Sequence, residues 1–268
     1  MTPDAISDHE FAQFQRFIFE AAGITMAPSK KALVSGRLSK RLQHHRVQSY
    51  GDYFKLLSSG QEPGEMQLAV DLLTTNETYF FRENKHFDLL RKVAQEARGR
   101  SQPLRVWSAA CSTGEEPYSI AMVLADVLED RPWEITATDI STRVLQKARY
   151  GHYPMERTGN IPRDYLQRFC LKGMDQYAGT LLVQRALRKR VQFLEMNLNT
   201  ALPQLGSFDV IFLRNVLIYF SADTKRQVVA RVAQLLKPGG YLFIGHSESL
   251  NDINNDVAMV APSIYRKP

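Results

Sequence analysis

The segment Val106-Trp107-Ser108-Ala109-Ala110-Cys111-Ser112-Thr113-Gly114-Glu115-Glu116-Pro117-Tyr118-Ser119 limits what this chain can fold into more than any other part of it. Leu104, Val106 and Trp107 read as a short buried strand, a run of small residues follows, and Pro117 can open a helix packed by Ile120, Ala121, Val123 and Leu124. In an open α/β sheet such a strand-to-helix turn lies at the carboxyl edge, where ligands bind. Dinucleotide folds hold a pyrophosphate there with the pattern GxGxxG. This turn has Gly114 alone, followed at once by Glu115 and Glu116. Two acids repel phosphate and attract a cation, so the expected ligand is nucleoside-like, lacks a pyrophosphate and carries positive charge. S-adenosylmethionine, with a sulfonium and an ammonium group, fits.

From Leu104 onward strands alternate with helices: Leu104–Ser108, helix Glu116–Leu128, strand Glu134–Thr138, helix Thr142–Arg149, strand Phe208–Leu213, helix Asp223–Leu236, a turn Lys237-Pro238-Gly239-Gly240, strand Tyr241–Gly245 and a closing strand near Met259–Tyr265. This alternation implies a mostly parallel sheet covered on both faces. Thr180–Val183 and Val191–Glu195 flank Arg185–Arg190 as a small antiparallel excursion, although Val191–Glu195 reads equally as a core strand. Residues 7–95 read as helical, with Gly23, Pro28, Gly51, Gly60, Pro63 and Gly64 as punctuation, and Lys85–Arg98 as a last helix ending at Gly99. The expected organisation is an all-α N-terminal domain over 1–80, a linker helix over 81–102, and an α/β domain over 103–268 with an inserted β-subdomain at about 170–195.

The longest apolar runs fall short of the roughly 20 residues a membrane span needs, and the first residues, Met1 to Asp8, lack a signal-peptide pattern. Cys111 and Cys170 give neither a disulfide framework nor a metal set, so no metal and a reduced, cytoplasmic location are expected. The net charge of +6 makes an acidic partner plausible. Its distribution is more informative. Lys30, Lys31, Arg37, Lys40, Arg41 and Arg46 lie in a stretch between Glu20 and Asp52 without a single acid. Lys30, Arg37, Arg41 and His44 share one helical face beside the apolar stripe Val34, Leu38 and Leu42. Such a run is either a solvated face or a docking surface.

Several positions suit the expected ligand. Asp139 closes the second strand, where a carboxylate can accept both ribose hydroxyls; it could instead cap the next helix, a role open equally to Ser141. Glu115 or Glu116 could bind the ammonium group, or both could merely complement the helix N-terminus. In Asn197-Leu198-Asn199 an amide can read an adenine edge while Leu198 packs on the ring, or the asparagines make a turn. Arg214 and Asn215 end the strand Phe208–Leu213, with Tyr219 one helical turn beyond; Tyr219 suits core packing as well as a site. Thr74 to Arg82 is rich in hydroxyl and amide side chains and suits a ligand-covering strip, Arg82 being able to hold a carboxylate in a fork.

Together these pieces resemble the CheR family of chemotaxis receptor glutamate methyltransferases. The matching segments are Leu72–Glu83, Val106–Ser119, Phe208–Phe220, and Lys237-Pro238-Gly239-Gly240-Tyr241-Leu242-Phe243-Ile244-Gly245-His246-Ser247-Glu248-Ser249. The resemblance implies a Rossmann-like methyltransferase domain behind an all-α domain. It implies that Asn76, Thr78, Arg82, Glu116, Asp139, Asn197, Leu198, Arg214 and Asn215 bind S-adenosylmethionine, whose product is S-adenosylhomocysteine. It places Arg82 and Tyr219 near the transferred methyl, and Arg37, Lys40 and Arg41 toward the acidic receptor bundle. Members that tether to a C-terminal receptor pentapeptide carry Gly-x-Gly in the β-subdomain. Here Lys172-Gly173-Met174-Asp175-Gln176 has Asp175 in place of the second glycine, and the expectation is a loop that fails to make the same turn and a pentapeptide-independent enzyme.

The acceptor would be glutamates on cytoplasmic signalling domains of chemoreceptors, with neither nucleic acid nor membrane insertion involved and nothing requiring a dimer. A glutamate with a pKa of about 4.3 is already ionised at neutral pH, so methyl transfer needs no general base. The charge leaves two rivals: a nucleic-acid methyltransferase, against which stands Val216-Leu217-Ile218-Tyr219 after Asn215 where amino-methylating enzymes commonly place Pro-Pro-Tyr, and a non-catalytic cofactor-binding adaptor.

Overall fold

The computed structural model describes residues 5–268; residues 1–4, which open the stretch where no signal-peptide pattern is read, lie outside the described residues. The chain divides into two compact units. One runs through Thr75 and takes in Tyr219–Thr224; the other comprises Asn76–Ile218 and Lys225–Pro268. Among the described residues no helix is long and apolar enough to cross a membrane.

The first unit is built from α1 (Asp8–Ala22), α2 (Lys31–His45), α3 (Tyr50–Ser59) and α4 (Glu65–Leu73). A capping box of Ser7 and Glu10 starts α1, and Gly23 in the left-handed region ends it. Phe11, Phe14 and Ile18 of α1, Val34, Leu38 and Leu42 of α2, and Tyr50, Tyr53 and Leu57 of α3 are buried at helical spacing. Thr25 donates its N–H to Tyr219 O at 2.7 Å and Ile24 bridges Phe220, which makes Tyr219–Thr224 part of this unit.

The acid-free stretch of α2 is compensated in space. Arg41 meets the buried Glu65 of α4 through Nε and Nη2, at 2.8 and 2.5 Å, and Tyr53 donates to the same carboxylate at 2.7 Å. Lys31 pairs with Asp8 at 2.7 Å. Arg37 Nη1 donates to Leu73 O and Thr74 O at the end of α4, where a helix leaves its carbonyls without intrahelical partners. Lys40 is exposed. Arg37 and Arg41 therefore hold α4 to α2, and the stretch is not the uncompensated run that the sequence suggests.

The second unit begins with α5 (Lys85–Ala97) and continues β1 (Leu104–Ser108), α6 (Glu115–Leu128), β2 (Trp133–Asp139), α7 (Thr142–Tyr150), β3 (His152–Pro154), α8 (Arg163–Phe169), β4 (Cys170–Lys172), β5 (Thr180–Val183), α9 (Arg185–Arg188), β6 (Val191–Glu195), β7 (Phe208–Leu213), α10 (Ala222–Gln234), β8 (Leu236–Ile244), β9 (Ala258–Ala261) and β10 (Ile264–Arg266). A seven-stranded sheet runs β6-β2-β1-β7-β8-β10-β9. Its first five strands are parallel, β10 runs antiparallel to β8, and β9, antiparallel to β10, points the same way as the first five. The chain winds outward from β1 to β2 and β6, then crosses to β7 and β8, so the topological switch point lies between β1 and β7. That crevice is where an open sheet binds its ligand.

Three details differ from expectation. Val191–Glu195 joins the main sheet beside β2, while the separate antiparallel sheet is β3-β5-β4, so the inserted strands begin at His152 and end at Val183 rather than spanning 170–195. Lys237–Gly240 is an irregularity inside β8, where the register slips between Phe208 and Val210 of its partner, rather than a turn ahead of the strand. The closing strand is a hairpin, because Pro262 cannot donate to a ladder and Ser263 adopts a φ of 61°.

In the β3-β5-β4 subdomain Asp175 has a φ of 49°. Aspartate tolerates the left-handed region better than most residues, so the loop makes a left-handed turn at this position without a glycine. The absence of the second glycine therefore does not by itself exclude a left-handed residue here.

Candidate cofactor site

β1, β2 and β7 end side by side, and the turns that leave them carry most of the candidate residues. Between β1 and α6 the chain bends through Ser112, with a φ of 48°, and Gly114, with a φ of 96°. A Cβ on Gly114 would stand 2.9 Å from Ala148 Cβ and from Tyr153 Oη, so only glycine fits between α7 and the subdomain. Tyr153 also donates to Thr113 O at 2.7 Å, which fixes the turn from the subdomain side.

The two adjacent acids part company here. Glu115 is fully buried, accepts from Thr113 Oγ1 at 2.6 Å, and lies 3.5 Å from Arg157. Burial raises its pKa above the ordinary carboxyl value, against the pull of Thr113 and Arg157. Glu116, one residue and about 100° further round the helix, turns to the strand ends. Ser108 Oγ donates to its Oε1 at 2.7 Å, and Arg214 Nη1 to its Oε2 at 2.8 Å.

Arg214 is buried at the end of β7 between two carboxylates, Glu116 and Glu83, the latter at 2.9 Å, and it also donates to Arg82 O. Burial works against the Glu83 charge, but Arg214 and the His246 N–H outweigh it and hold its carboxyl below the usual range. Asn215 has a φ of 55°. Its N–H donates to Glu248 Oε2 at 2.9 Å, as does Gly245 N–H at 2.6 Å, and Ile218 N–H reaches Oε1 at 3.3 Å. Burial still pushes the Glu248 carboxyl above its ordinary value. Phe81, Glu83, Ser112 and Asn215 are thus four non-glycine residues with positive φ around one crevice, the kind of strain that accumulates where binding geometry is prescribed.

Asp139 ends β2 with its Oδ2 on Ser112 N–H and its Oδ1 on Ser141 N–H, both at 2.9 Å. Ser141, not Asp139, caps α7 by accepting from Val144 N–H. The strip before α5 is laid onto the β1–α6 turn: Ser112 Oγ donates to Asn76 O, Phe81 N–H to Ser119 Oγ, and Arg157 Nη2 to Thr78 O. This strip is irregular rather than a helix start. Arg82 lies over the Tyr79 ring and donates to Glu77 O, with no ion pair among the described residues. Beyond β6, Asn197 Oδ1 accepts Asn199 N–H at 2.9 Å, an Asx turn, while Leu198 is buried and its carbonyl accepts from Arg231.

Asn76, Thr78, Arg82, Glu116, Asp139, Asn197, Leu198, Arg214 and Asn215 all belong to the second unit, whereas Tyr219 belongs to the first. Glu83 and Glu248 are the site-building residues that sequence reasoning missed. Both lie inside the quoted segments, Glu83 at the end of the hydroxyl- and amide-rich strip and Glu248 in the polar stretch after β8.

The charge set at the crevice includes the acids Glu83, Glu116 and Asp139 against the buried guanidinium of Arg214, with the Glu248 carboxyl occupied by backbone N–H groups. No row of backbone N–H groups from a three-glycine loop is present to cradle phosphate, since the Ser112 N–H is already given to Asp139. The donor set fits a cationic nucleoside.

Comparison with known proteins decides which one. Residues 76–265 match the model of the CheR methyltransferase SAM binding domain, and residues 9–74 that of the CheR methyltransferase all-alpha domain. The chain belongs to the CheR methyltransferase family. Its cofactor is S-adenosylmethionine, held by the second unit. The chain is 43% identical over 266 residues to the chemotaxis protein methyltransferase of Escherichia coli, covering 97% of this chain and 91% of that protein. It is 44% identical over 259 residues to chemotaxis protein methyltransferase 2 of Pseudomonas aeruginosa, with 96% and 92% covered. The chemotaxis protein methyltransferase of Klebsiella aerogenes is 42% identical over 265 residues, with 97% and 90% covered.

Proposed function

We propose that this chain methylates glutamate side chains on the cytoplasmic signalling domains of bacterial chemoreceptors, acting as a cytoplasmic monomer. The observation that carries the reading is the switch-point carboxylate set, Glu116 and Asp139, beside a turn without a phosphate cradle, in a chain that matches the family over residues 9–74 and 76–265.

Bound there, S-adenosylmethionine would supply an electrophilic methyl on a sulfonium, the product being S-adenosylhomocysteine. Asp139 takes the ribose hydroxyls, Asn197 and Leu198 the adenine, and Glu116 the ammonium group. Glu116 is favoured over Glu115 because Glu115 is turned away and buried against Thr113. Asn76 and Thr78 cover the ligand from the strip, and Arg214 and Asn215 floor it. Arg82, free of ion pairs among the described residues, orients a carboxylate of cofactor or acceptor, and Tyr219 positions the acceptor. An acceptor glutamate is ionised at neutral pH, so the protein contributes alignment and exclusion of water, worth roughly 7–11 kcal/mol for well-oriented reactants. With the cofactor bound, Arg82→Ala should lower turnover at least tenfold; near-normal turnover would remove that role.

Receptor docking falls to the exposed Lys40 together with the outer edges of Arg37 and Arg41, whose inner atoms hold α4. The pentapeptide-independent reading rests on the Asp175 charge and no longer on the backbone turn. A peptide at a receptor's C-terminus ends in a carboxylate, which Asp175 repels. Tight calorimetric binding of such a pentapeptide to this chain would refute it.

A further inference from the structure

Glu83, His86 and His246 bring one carboxylate and two imidazoles together inside the second unit, with their ligand atoms within 4.8 Å of one another. Glu83 and His86 flank the start of α5, and His246 follows β8. His86 is fully buried and stacked on Phe243 at 5.1 Å. Its Nε2 lies 2.8 Å from Ser263 Oγ, and the single hydroxyl proton of Ser263 goes to Pro262 O at 2.6 Å. With the hydroxyl proton assigned to Pro262 O, Ser263 Oγ accepts from His86, the tautomer that has the imidazole proton on Nε2 and a lone pair on Nδ1. That Nδ1 is buried without a hydrogen-bond partner and faces Glu83 Oε2 at 3.5 Å. Two acceptors turned toward each other away from water repel, and a cation between them converts the repulsion into ligation.

The geometry points to a zinc-type divalent metal site formed by Glu83 Oε2, His86 Nδ1 and His246 Nε2. Two imidazole nitrogens and one carboxylate oxygen suit Zn²⁺ and its transition-metal neighbours, whereas Mg²⁺ and Ca²⁺ take oxygen ligands. With bonds of about 2.0–2.2 Å, tetrahedral ligand atoms stand roughly 3.4 Å apart. Here Glu83 Oε2 is 3.5 Å from His86 Nδ1 and 3.9 Å from His246 Nε2, and all three atoms lie within 4.8 Å of one another, so an inward movement of His246 completes the site. His246, 52% exposed, can make that movement and leaves the fourth position to solvent. The His86 bond to Ser263 is the outer-shell hydrogen bond that orients a metal-binding histidine. In the sequence no metal pattern is visible, because His86 and His246 lie far apart in the chain and the two elements that carry them meet only in the fold.

Glu83 Oε2 also pairs with Arg214 at 2.9 Å. A metal on that oxygen displaces Arg214 onto its remaining partners, Glu116 and Arg82 O. Metal binding should then weaken cofactor binding, a consequence that rests on Arg214 bordering the cofactor; the metal site itself does not.

The test is calorimetric titration of the untagged, chelator-stripped full chain with Zn²⁺, with Co²⁺ absorption reporting imidazole ligation. One equivalent should bind, without competition from Mg²⁺, and His246→Ala should weaken that equivalent at least ~10-fold. This exposed position is expected to leave the fold intact, which circular dichroism checks. Absence of binding, or binding unchanged in both His246→Ala and Glu83→Gln, overturns the site. Saturating Zn²⁺ should lower S-adenosylmethionine affinity several-fold in the wild-type chain and not in His246→Ala; unchanged affinity with Zn²⁺ bound overturns the Arg214 exchange. A metal-free chain that binds no S-adenosylmethionine would instead fault the cofactor assignment, and the Zn²⁺ titration alone would still decide the metal site.

Discussion

Arg214 and Glu116, 98 residues apart in the chain, meet in a 2.8 Å ion pair where β1 and β7 end. With Glu83 on its other side, Arg214 turns two acids from distant segments into one fixed wall of the crevice. Removing it leaves two carboxylates without their cation. Arg214→Met should cost about 3–5 kcal/mol and abolish measurable cofactor binding, with urea denaturation and calorimetry as the two readouts. If stability holds within 1 kcal/mol, roughly a fivefold change in equilibrium, the guanidinium is not what joins these segments.

The two neighbouring acids should separate cleanly. Glu116→Gln should lower cofactor affinity tenfold or more while changing the melting temperature little. Glu115→Gln, an isosteric change at a buried carboxyl whose pKa is already raised, should leave affinity within about threefold. The reverse pattern in calorimetry would exchange their roles.

Asn215 allows backbone and side chain to be tested apart. Its φ of 55° suits glycine, so Asn215→Gly should keep the fold and lose the amide's contribution to binding. Asn215→Ala should lose binding and also about 1 kcal/mol of stability to left-handed strain. Gly245→Ala should resemble it, since a Cβ there would stand 2.4 Å from Asn215 Nδ2. Equal stability of the glycine and alanine variants at 215 would contradict the strain.

Stability toward acid should depend on Glu65. Burial opposes its charge, but Arg41 and Tyr53 donate to it, His45 lies beside it, and together they bring its carboxyl down to about 2. A carboxyl depressed below its unfolded value of about 4.3 stabilises fully above that pH and loses its contribution as pH falls toward 2. Glu65→Gln should lower stability at pH 7 by on the order of 3 kcal/mol and flatten the decline below pH 5. Parallel curves for both proteins in denaturation from pH 7 to pH 2 would show that the network contributes nothing.

The strand-to-helix turn at Gly114 was legible in sequence because an apolar run, small residues and Pro117 each mark their own boundary. The parallel sheet followed from the same rhythm. The difference between Glu115 and Glu116 was not legible: both open one helix, and only its start at Glu115 tells which faces the crevice. Compensation between distant elements was also hidden. Arg41 lies in a stretch without acids, and its partner Glu65 is 24 residues away on another helix. Asp175 shows the limit of reading turns from glycine alone, since an aspartate carries the left-handed φ there.

The central claim is that this chain transfers methyl groups from S-adenosylmethionine to receptor glutamates. The direct measurement supplies methyl-labelled cofactor and a panel of chemoreceptor signalling domains, with and without their C-terminal tails, and follows where label goes. Alkali-labile label on glutamates of the receptor helices, independent of the tail, is the expected result. Label on nucleic acid, or cofactor binding with no transfer to any receptor domain, would contradict it.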